Sequence, residues 1–457
     1  MNLIEKIQNG INLKGHTRIT LTNVRDGSQK VTEDSNMISD AVSEILANNM
    51  CGLAQYSFLM PLKKMFGGVM LFRDTITESG SNYAIPSDDV NPMVAHAGQT
   101  AHSTASPYRG NPNGGETIAT DTSIKFVWDF MTNQGNSPQI ASCCLVPQGL
   151  GDMGIKPFDA TQNPISVFGA NYRGRVTMTD EIRKQFPVAF GTDGKTYYNV
   201  DLNGTSFKEY TMRHDLWKFG IMRDSRTWQQ VAVREATLDS GDNKFFFLDS
   251  NYYYVAWADT STHMTIKKIS RSDFSITDAS ITVSSVALYQ GTINMRWLQL
   301  FAYDGKYLYF PNTDATRMCK IDLAVPANSD YLDGTVNLNV DTSPIGDEGY
   351  QRVTPIAVSE GLIIGDNYIA NGSKLYPIKG AAGILASLDY MAQGNWLTLV
   401  RHGAACYGHA FGNYDSRQYG QGNVLFPYFL STINNLQDPV EKSTSQTMKV
   451  EYTLTEV

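Results

Sequence analysis

The sequence predicts a mainly β chain with one helix near its start and a propeller-like repeat in its middle. Three observations predict it. Alternating apolar and polar runs bounded by Gly, Pro, Asn and Asp recur from end to end. One 3.6-period stripe interrupts them. Tyrosine- and isoleucine-rich hairpins recur at a nearly constant spacing between residues 196 and 380.

"TRITLTNVRDGSQKVTE" alternates through Ile19 and Leu21, turns at Asp26-Gly27 and alternates again through Val31, which predicts a β-hairpin. "SNMISDAVSEILANNM" follows, with Ile38, Val42, Ile45 and Leu46 on one stripe and Ser35 or Asn36 as N-cap, predicting a helix over about 36–49. Residues 74–122 are rich in Ser, Gly, Pro, Asn and Thr without a sustained period, and predict a long surface loop that orders on assembly. "SIKFVWDF" then predicts a half-buried strand carrying Ile124, Phe126, Trp128 and Phe130, and "IASCCLVP" another, ended by the Gly-rich turn "QGLGDMG". The last strand is "QTMKVEYTLTE", with Met448, Val450, Tyr452 and Leu454 on one face.

The repeated runs start at Thr196 ("TYYNV"), Tyr252 ("YYYVAW"), Lys306 ("KYLYFP") and Gly361 ("GLIIGD"), which are 56, 54 and 55 residues apart. Each has a partner run, from Phe207, His263, Thr316 and Ser373, at offsets of 11, 11, 10 and 12 residues. With the alternating runs between them this gives about four strands per unit, the signature of a β-propeller of four or five blades. Chance spacing among the short strands of a sandwich is the alternative, and the repeated offset argues against it.

The 457 residues suffice for two or three cores, and 42% hydrophobic against 18% charged residues, with 38 Gly and 17 Pro, mark a folded chain. A net charge of −8 gives no electrostatic footprint for nucleic acid or an anionic membrane. No stretch reaches the ~20 apolar residues of a membrane-spanning helix, and Glu5 and Lys6 interrupt any signal-peptide core, so the expectation is a soluble chain made in a cytoplasm. The five cysteines, Cys51, Cys143, Cys144, Cys319 and Cys406, are expected reduced and mostly buried.

Few residues suggest chemistry. His402, Cys406 and His409 in "RHGAACYGH" have metal-ligand spacing, but one knuckle falls short of the four ligands of structural zinc, so no metal or cofactor is expected. Asp239 and Asp242 in "LDSGDN" lack the closing Glu of a Ca²⁺ loop and predict a solvated turn. Neither a G-x-S-x-G elbow nor a phosphate-binding Gly-rich loop occurs. A pair of carboxylates for glycoside cleavage leaves no mark in a sequence. Tyr252, Tyr253, Tyr254 and Trp257 are the candidate binding residues, because three consecutive tyrosines on a strand force a ring off the core face, and exposed Tyr and Trp suit sugars and protein partners. Rigid packing between blades is the competing reading.

Five stretches, "ITLTNVRDGSQKVTEDSNMISDAV", "FGGVMLFRDTI", "YRGNPNGGET", "SIKFVWDFMTNQGN" and "INNLQDPVEKSTSQTMKVEYTLTE", resemble in that order segments of structural proteins of tailed bacteriophages, mainly those of Gram-positive hosts. The resemblance covers roughly residues 16–150 and 425–457. It implies a non-enzymatic virion component of the tail, baseplate or fibre apparatus, assembled in the host cytoplasm, and brings no catalytic residues. It also suggests a domain plan. Residues 1–190 form a β-sandwich-like virion-anchoring domain with Ile124, Phe126, Trp128 and Phe130 as structural core, 191–395 form the inserted propeller, and 396–457 return as strands to the anchoring domain. The implied partners are other tail or baseplate proteins and a host cell-surface glycan or protein, with a homo-oligomer expected, without nucleic acid or membrane insertion. A virion-carried glycan-degrading enzyme and a purely architectural collar or baseplate adaptor are the alternatives.

Overall fold

The computed structural model describes residues 13–42, 65–103, 106–156, 173–174, 186–190, 196–214, 228–291, 301–336, 338, 356–359, 361–365, 368–377, 396–402, 405–414, 417–427 and 429–456. The chain begins with β1 (Leu13–Asn23), β2 (Gln29–Ile38), β3 (Gly68–Phe72), β4 (Met93–Ala97), β5 (Asn111–Pro112), β6 (Ile118–Ala119), β7 (Ser123–Phe130), β8 (Ser137–Val146) and helix α1 (Gln148–Met153). Then come β9 (Arg173–Gly174), β10 (Phe186–Phe190), β11 (Thr196–Asn203), β12 (Ser206–His214), β13 (Trp228–Thr237), β14 (Phe245–Leu248), β15 (Tyr252–Thr260), β16 (His263–Ser270) and β17 (Ile276–Thr282). They continue with β18 (Ala302–Tyr303), β19 (Tyr307–Pro311), β20 (Met318–Asp322), β21 (Asp330–Tyr331), β22 (Ile356–Ser359), β23 (Leu362–Ile364), β24 (Tyr368–Asn371) and β25 (Lys374–Pro377). The last are β26 (Trp396–His402), β27 (Ala405–Tyr414), β28 (Arg417–Pro427), β29 (Thr432–Ile433), β30 (Asn435–Lys442) and β31 (Gln446–Glu456).

The two chain ends meet in one sheet, ordered β29-β2-β1-β31-β7-β5, with β6 also on β7. β1 and β31 run antiparallel from Leu13↔Glu456 to Asn23↔Gln446. A second sheet, β30-β8-β3-β4, shares an apolar cluster with the first. Period-2 alternation puts Ile19, Leu21, Met448, Val450, Tyr452 and Leu454 into that cluster, where they meet Val69, Leu71, Ile140 and Leu145 of the second sheet. The aromatic strand is core, as expected. Phe126, Trp128 and Phe130 are fully buried, Phe126 stacks on Trp128 at 5.7 Å, and the indole N–H donates to the Gly98 carbonyl at 3.0 Å. Ile124 is half-buried at the edge of the cluster.

Among the described residues, five further four-stranded antiparallel sheets follow: β10-β11-β12-β13, β14-β15-β16-β17, β18-β19-β20-β21, β22-β23-β24-β25 and β26-β27-β28-β9. First strands touch in sequence, β14 with β18, β18 with β22, β22 with β26, and β26 with β10. The last sheet is completed by β9, which precedes all the others in the chain and pairs with β28 at Gly420↔Gly174 and Gln421↔Arg173.

Several expectations are corrected. The boundary at 190/191 falls inside a sheet, since β10 pairs with β11. Residues 396–427 form a fifth sheet, and it is β29, β30 and β31 that return to the end-built unit. Ser35 and Asn36 do not cap a helix: β2 runs on to Ile38 because Asn36 pairs with Gly15 and Met37 with Ile433. Helical residues start at Asp40, and those after Val42 lie outside the described residues. "QGLGDM" is α1, not a turn. The 74–122 segment holds β4, β5 and β6, and its polar side chains serve as internal partners: the Asn91 amide accepts from the Asp74 N–H at 2.9 Å and donates to the Asp74 carbonyl at 2.8 Å. Cys143, Cys144 and Cys319 are free and buried. Among the described residues, no helix is long and apolar enough to cross a membrane.

Candidate functional site

Strand β15 carries the predicted binding residues, and its alternation decides where they go. Tyr253 and Val255 face the first sheet, in a cluster with Val200, Phe207 and Phe246. Tyr254 and Ala256 face the third, packed on Phe245, Phe247 and Phe310, with Tyr303 against them. Three consecutive tyrosines thus serve two opposite faces, both covered by neighbouring sheets. Tyr253 is 0% exposed, Tyr254 8% and Trp257 6%. Tyr253 and Tyr254 are therefore inter-sheet packing groups, and none of the three forms an exposed platform. Gly241 seats Trp257, since a Cβ there would lie 2.9 Å from the indole. Tyr252 is half-buried, with the Lys268 ammonium 4.5 Å from its ring centre.

The turn before β15 is built by Asp249. Its Oδ1 accepts from the N–H groups of Asn251 (2.7 Å) and Tyr252 (2.8 Å), and its Oδ2 from the Tyr254 hydroxyl (2.6 Å). Asp304 does the same before β19, accepting from Lys306 N–H (2.9 Å), Tyr307 N–H (2.6 Å) and the Tyr309 hydroxyl (3.2 Å). The signal was present as "DSNYYY" and "DGKYLY", an Asp-x-x-Tyr-x-Tyr pattern that sequence reasoning missed. Burial, then the nearby carboxylate, raises both the Tyr254 and Tyr309 phenols. They stay neutral donors.

A polar network holds the first two sheets together. Arg234 grips Glu209 Oε1 through Nε (2.8 Å) and Nη2 (2.6 Å), while the Tyr253 hydroxyl donates to Oε2 at 2.5 Å. Arg234 also donates to the carbonyls of Ser272 and Arg271, and the Arg271 guanidinium lies 5.4 Å from the Tyr253 ring centre. A phenol on a carboxylate beside two guanidinium groups has the makings of a nucleophile. Both Tyr253 and Glu209 are buried, however, so no substrate reaches the oxygen. The network is a lock between sheets.

"LDSGDN" holds no cation pocket. Lys267 Nζ binds Asp239 at 2.5 Å and Asp278 at 2.7 Å, and Lys244 Nζ donates to the carbonyls of Gly204 and Asp239. Lysines occupy the place a Ca²⁺ ion would need. Asp239 and Asp278 are also a close carboxylate pair, but hydrogen bonding to Lys267 lowers the Asp239 value, whereas a glycosidase acid needs a raised one. In the end-built unit, Asp152 is buried with Arg109 (3.4 Å) and accepts from the Thr100 N–H and hydroxyl at 2.9 and 2.8 Å. Burial raises its value, and its bonds tie residues 98–110 to α1.

His402, Cys406 and His409 fall on β26 and β27, where Arg401 pairs with Cys406 and Thr398 with His409. Their side chains lie outside the described residues. Among the described residues, no group of three His, Cys, Asp or Glu side chains is placed to hold a metal ion.

No family model matches this chain, and no curated protein matches it. Solved structures similar to it include TolB from Acinetobacter baumannii (10% identity, TM-score 0.22, covering 90% of this chain and 77% of that one). Others are a functionally unknown protein from Desulfotomaculum acetoxidans (11%, TM-score 0.25, 81% and 98%) and the catalytic domain of the Coprinopsis cinerea GH62 α-L-arabinofuranosidase (12%, TM-score 0.21, 76% and 98%). Similarity at this level carries no argument about what the chain does, and no family is assigned.

Proposed function

We propose that the chain is a structural component of a bacteriophage tail, baseplate or fibre. In this reading the end-built unit docks on the particle as a homo-oligomer, and the five sheets close into a five-bladed propeller that binds a host-surface glycan or protein. One observation carries it. The five stretches that resemble phage structural proteins fold into β1, β2, β3, β5, β7, β30 and β31, which all belong to the two sheets built from the chain ends. The five-sheet series is inserted between α1 and β29, so it projects from a closed unit whose ends already meet. The buried tyrosines leave binding to groups at the rims of the sheets, and many copies on one particle would multiply a weak contact.

The test uses the labelled full-length protein on whole cells of a panel of Gram-positive bacteria, with release of soluble envelope sugars followed in parallel. Saturable binding, competed by unlabelled protein and without sugar release, supports the reading. Sugar release would replace it by the virion-carried glycan-degrading enzyme. A folded protein that binds no cell would leave the architectural adaptor.

A further inference from the structure

We propose that the loop Ile85–Pro92 of the end-built unit and the turn Asn371–Lys374 of the fourth sheet form a polar clasp that sets the angle between the two units and opens without unfolding either.

The chain leaves the end-built unit after Lys156 and re-enters it at Phe429. Two such crossings limit the separation of the units but not their angle, so the angle must come from non-covalent contacts. Among the described residues, polar contacts of this kind meet at one place. Asn371, fully buried at the end of β24, accepts the Asp88 N–H on its Oδ1 at 2.7 Å and donates from Nδ2 to the Ile155 carbonyl at 3.1 Å. The Ser373 hydroxyl donates to Asp89 Oδ1 at 3.0 Å, and Lys320 Nζ from the third sheet stands 4.0 Å from Asp89 Oδ2. Between them Gly372 has φ +64°, and a Cβ there would lie 2.4 Å from the Asp89 carboxyl carbon, so only glycine lets the carboxylate seat over the turn.

Two features of the described residues favour a clasp over a continuation of the core. The apolar cluster of the end-built unit draws on residues 13–145 and 429–454, while the three described clusters of the sheet series draw on 198–375. Amide, hydroxyl, carboxylate and ammonium groups, in contrast, regain water when they part, so separating them carries a small net penalty. The outgoing strap is pinned at the same spot. Lys156 Nζ is 3.1 Å from Asp88 Oδ2, donates to the Met93 carbonyl at 2.9 Å and lies 4.7 Å from the centre of the Tyr108 ring.

The full-length chain carrying Asn371→Ala with Ser373→Ala tests this by hydrogen exchange and solution scattering. The expected result is exchange of the Asp88 N–H about tenfold faster and a larger maximum dimension, with the near-ultraviolet dichroism of both units retained. A second protein, Asp89→Cys with Ser373→Cys, should scatter like the parent when oxidised and like the opened variant when reduced. Unchanged exchange and scattering in the double-alanine protein would overturn the proposal. Loss of either unit's near-ultraviolet signal would do so too, since the junction would then be part of the fold. Neither result depends on what the protein binds.

Discussion

The two units of this chain are built from the same alternating strands but draw their stability from opposite ends of the contact range. In the end-built unit β1 pairs with β31 and β31 with β7, so strands more than 400 residues apart in sequence lie side by side, and one apolar cluster serves both sheets. In the sheet series the first four sheets are local meanders, and separate clusters fill spaces between neighbours. Damage should therefore propagate through the first unit and stay local in the second. The fifth sheet is where the series departs from a simple repeat array, because β9 joins it from the far end of the series.

The largest effect tests that difference directly. Cutting the chain after residue 430 removes β29, β30 and β31, which leaves β1 and β7 without their shared neighbour. The near-ultraviolet signal of the buried Trp128 should vanish while the far-ultraviolet strand signal of the sheet series persists. An unchanged melting curve would refute the two-ended construction. Next comes Trp128→Ala, which empties a fully buried indole site and orphans the Gly98 carbonyl, for a loss of about 3–5 kcal/mol from the whole unit in denaturant unfolding. Glu209→Gln is smaller, about 2 kcal/mol, because Arg234 is a third exposed and rehydrates. Its effect should appear as faster exchange in β12, β13 and β15 only, with β19 and β20 unaffected.

The local part of the fold was legible in the sequence, and the non-local part was not. Hairpins starting near Thr196, Tyr252, Lys306 and Gly361 correspond to β11, β15, β19 and β23, because turn residues and period-2 alternation act over a few residues. In the fourth sheet the partner was misplaced. β23 is three residues long and pairs with the four-residue β24, too short to show a period, so "SKLYPIK", expected as the partner run of β23, instead supplies β25, the partner of β24. The helix starting at Asn36 failed for a different reason: Ile38 and Val42 fit a helical stripe, but Met37 finds Ile433 across the chain and extends the strand, and the buried Ser39 hydroxyl donates to the Leu430 carbonyl. The binding residues were misread because exposure was inferred from one sheet, whereas β15 is covered from both sides.

His96 distinguishes the units by pH. Burial lowers its value from 6.5 to about 3, although its Nδ1 sits 2.7 Å from the Gly151 carbonyl, and the charges of Arg109, His102 and Lys156 push the same way as burial. The folded state therefore keeps His96 neutral, while the unfolded chain protonates it below about 6.5. Its contribution is whole above that pH and is lost as pH falls towards 3, by up to about 1.4 kcal/mol per unit. Urea midpoints of the end-built unit should fall between pH 6.5 and 5. In His96→Asn, whose amide can still donate to Gly151, that slope should flatten, and the sheet series should show no difference between the two proteins.

The smallest expected effect lies one residue from one of the larger ones. Arg18 pairs across the sheet with Glu33 (3.2 Å) and Glu451 (3.7 Å), and Glu451 also meets Lys125 at 3.4 Å, so the outer face of β1, β2, β31 and β7 carries a lattice of charge. Arg18 and Glu33 are both about half exposed, and water and salt screen them, which limits Arg18→Ala to about 0.5 kcal/mol, less at 0.5 M salt. Ile19, on the other face of the same strand, is fully buried in the shared cluster, and Ile19→Ala should lose about 2–4 kcal/mol. If the two substitutions instead proved equal, the outer face would be covered by something heavier than solvent, and the site to look for would be a partner seated on the charge lattice.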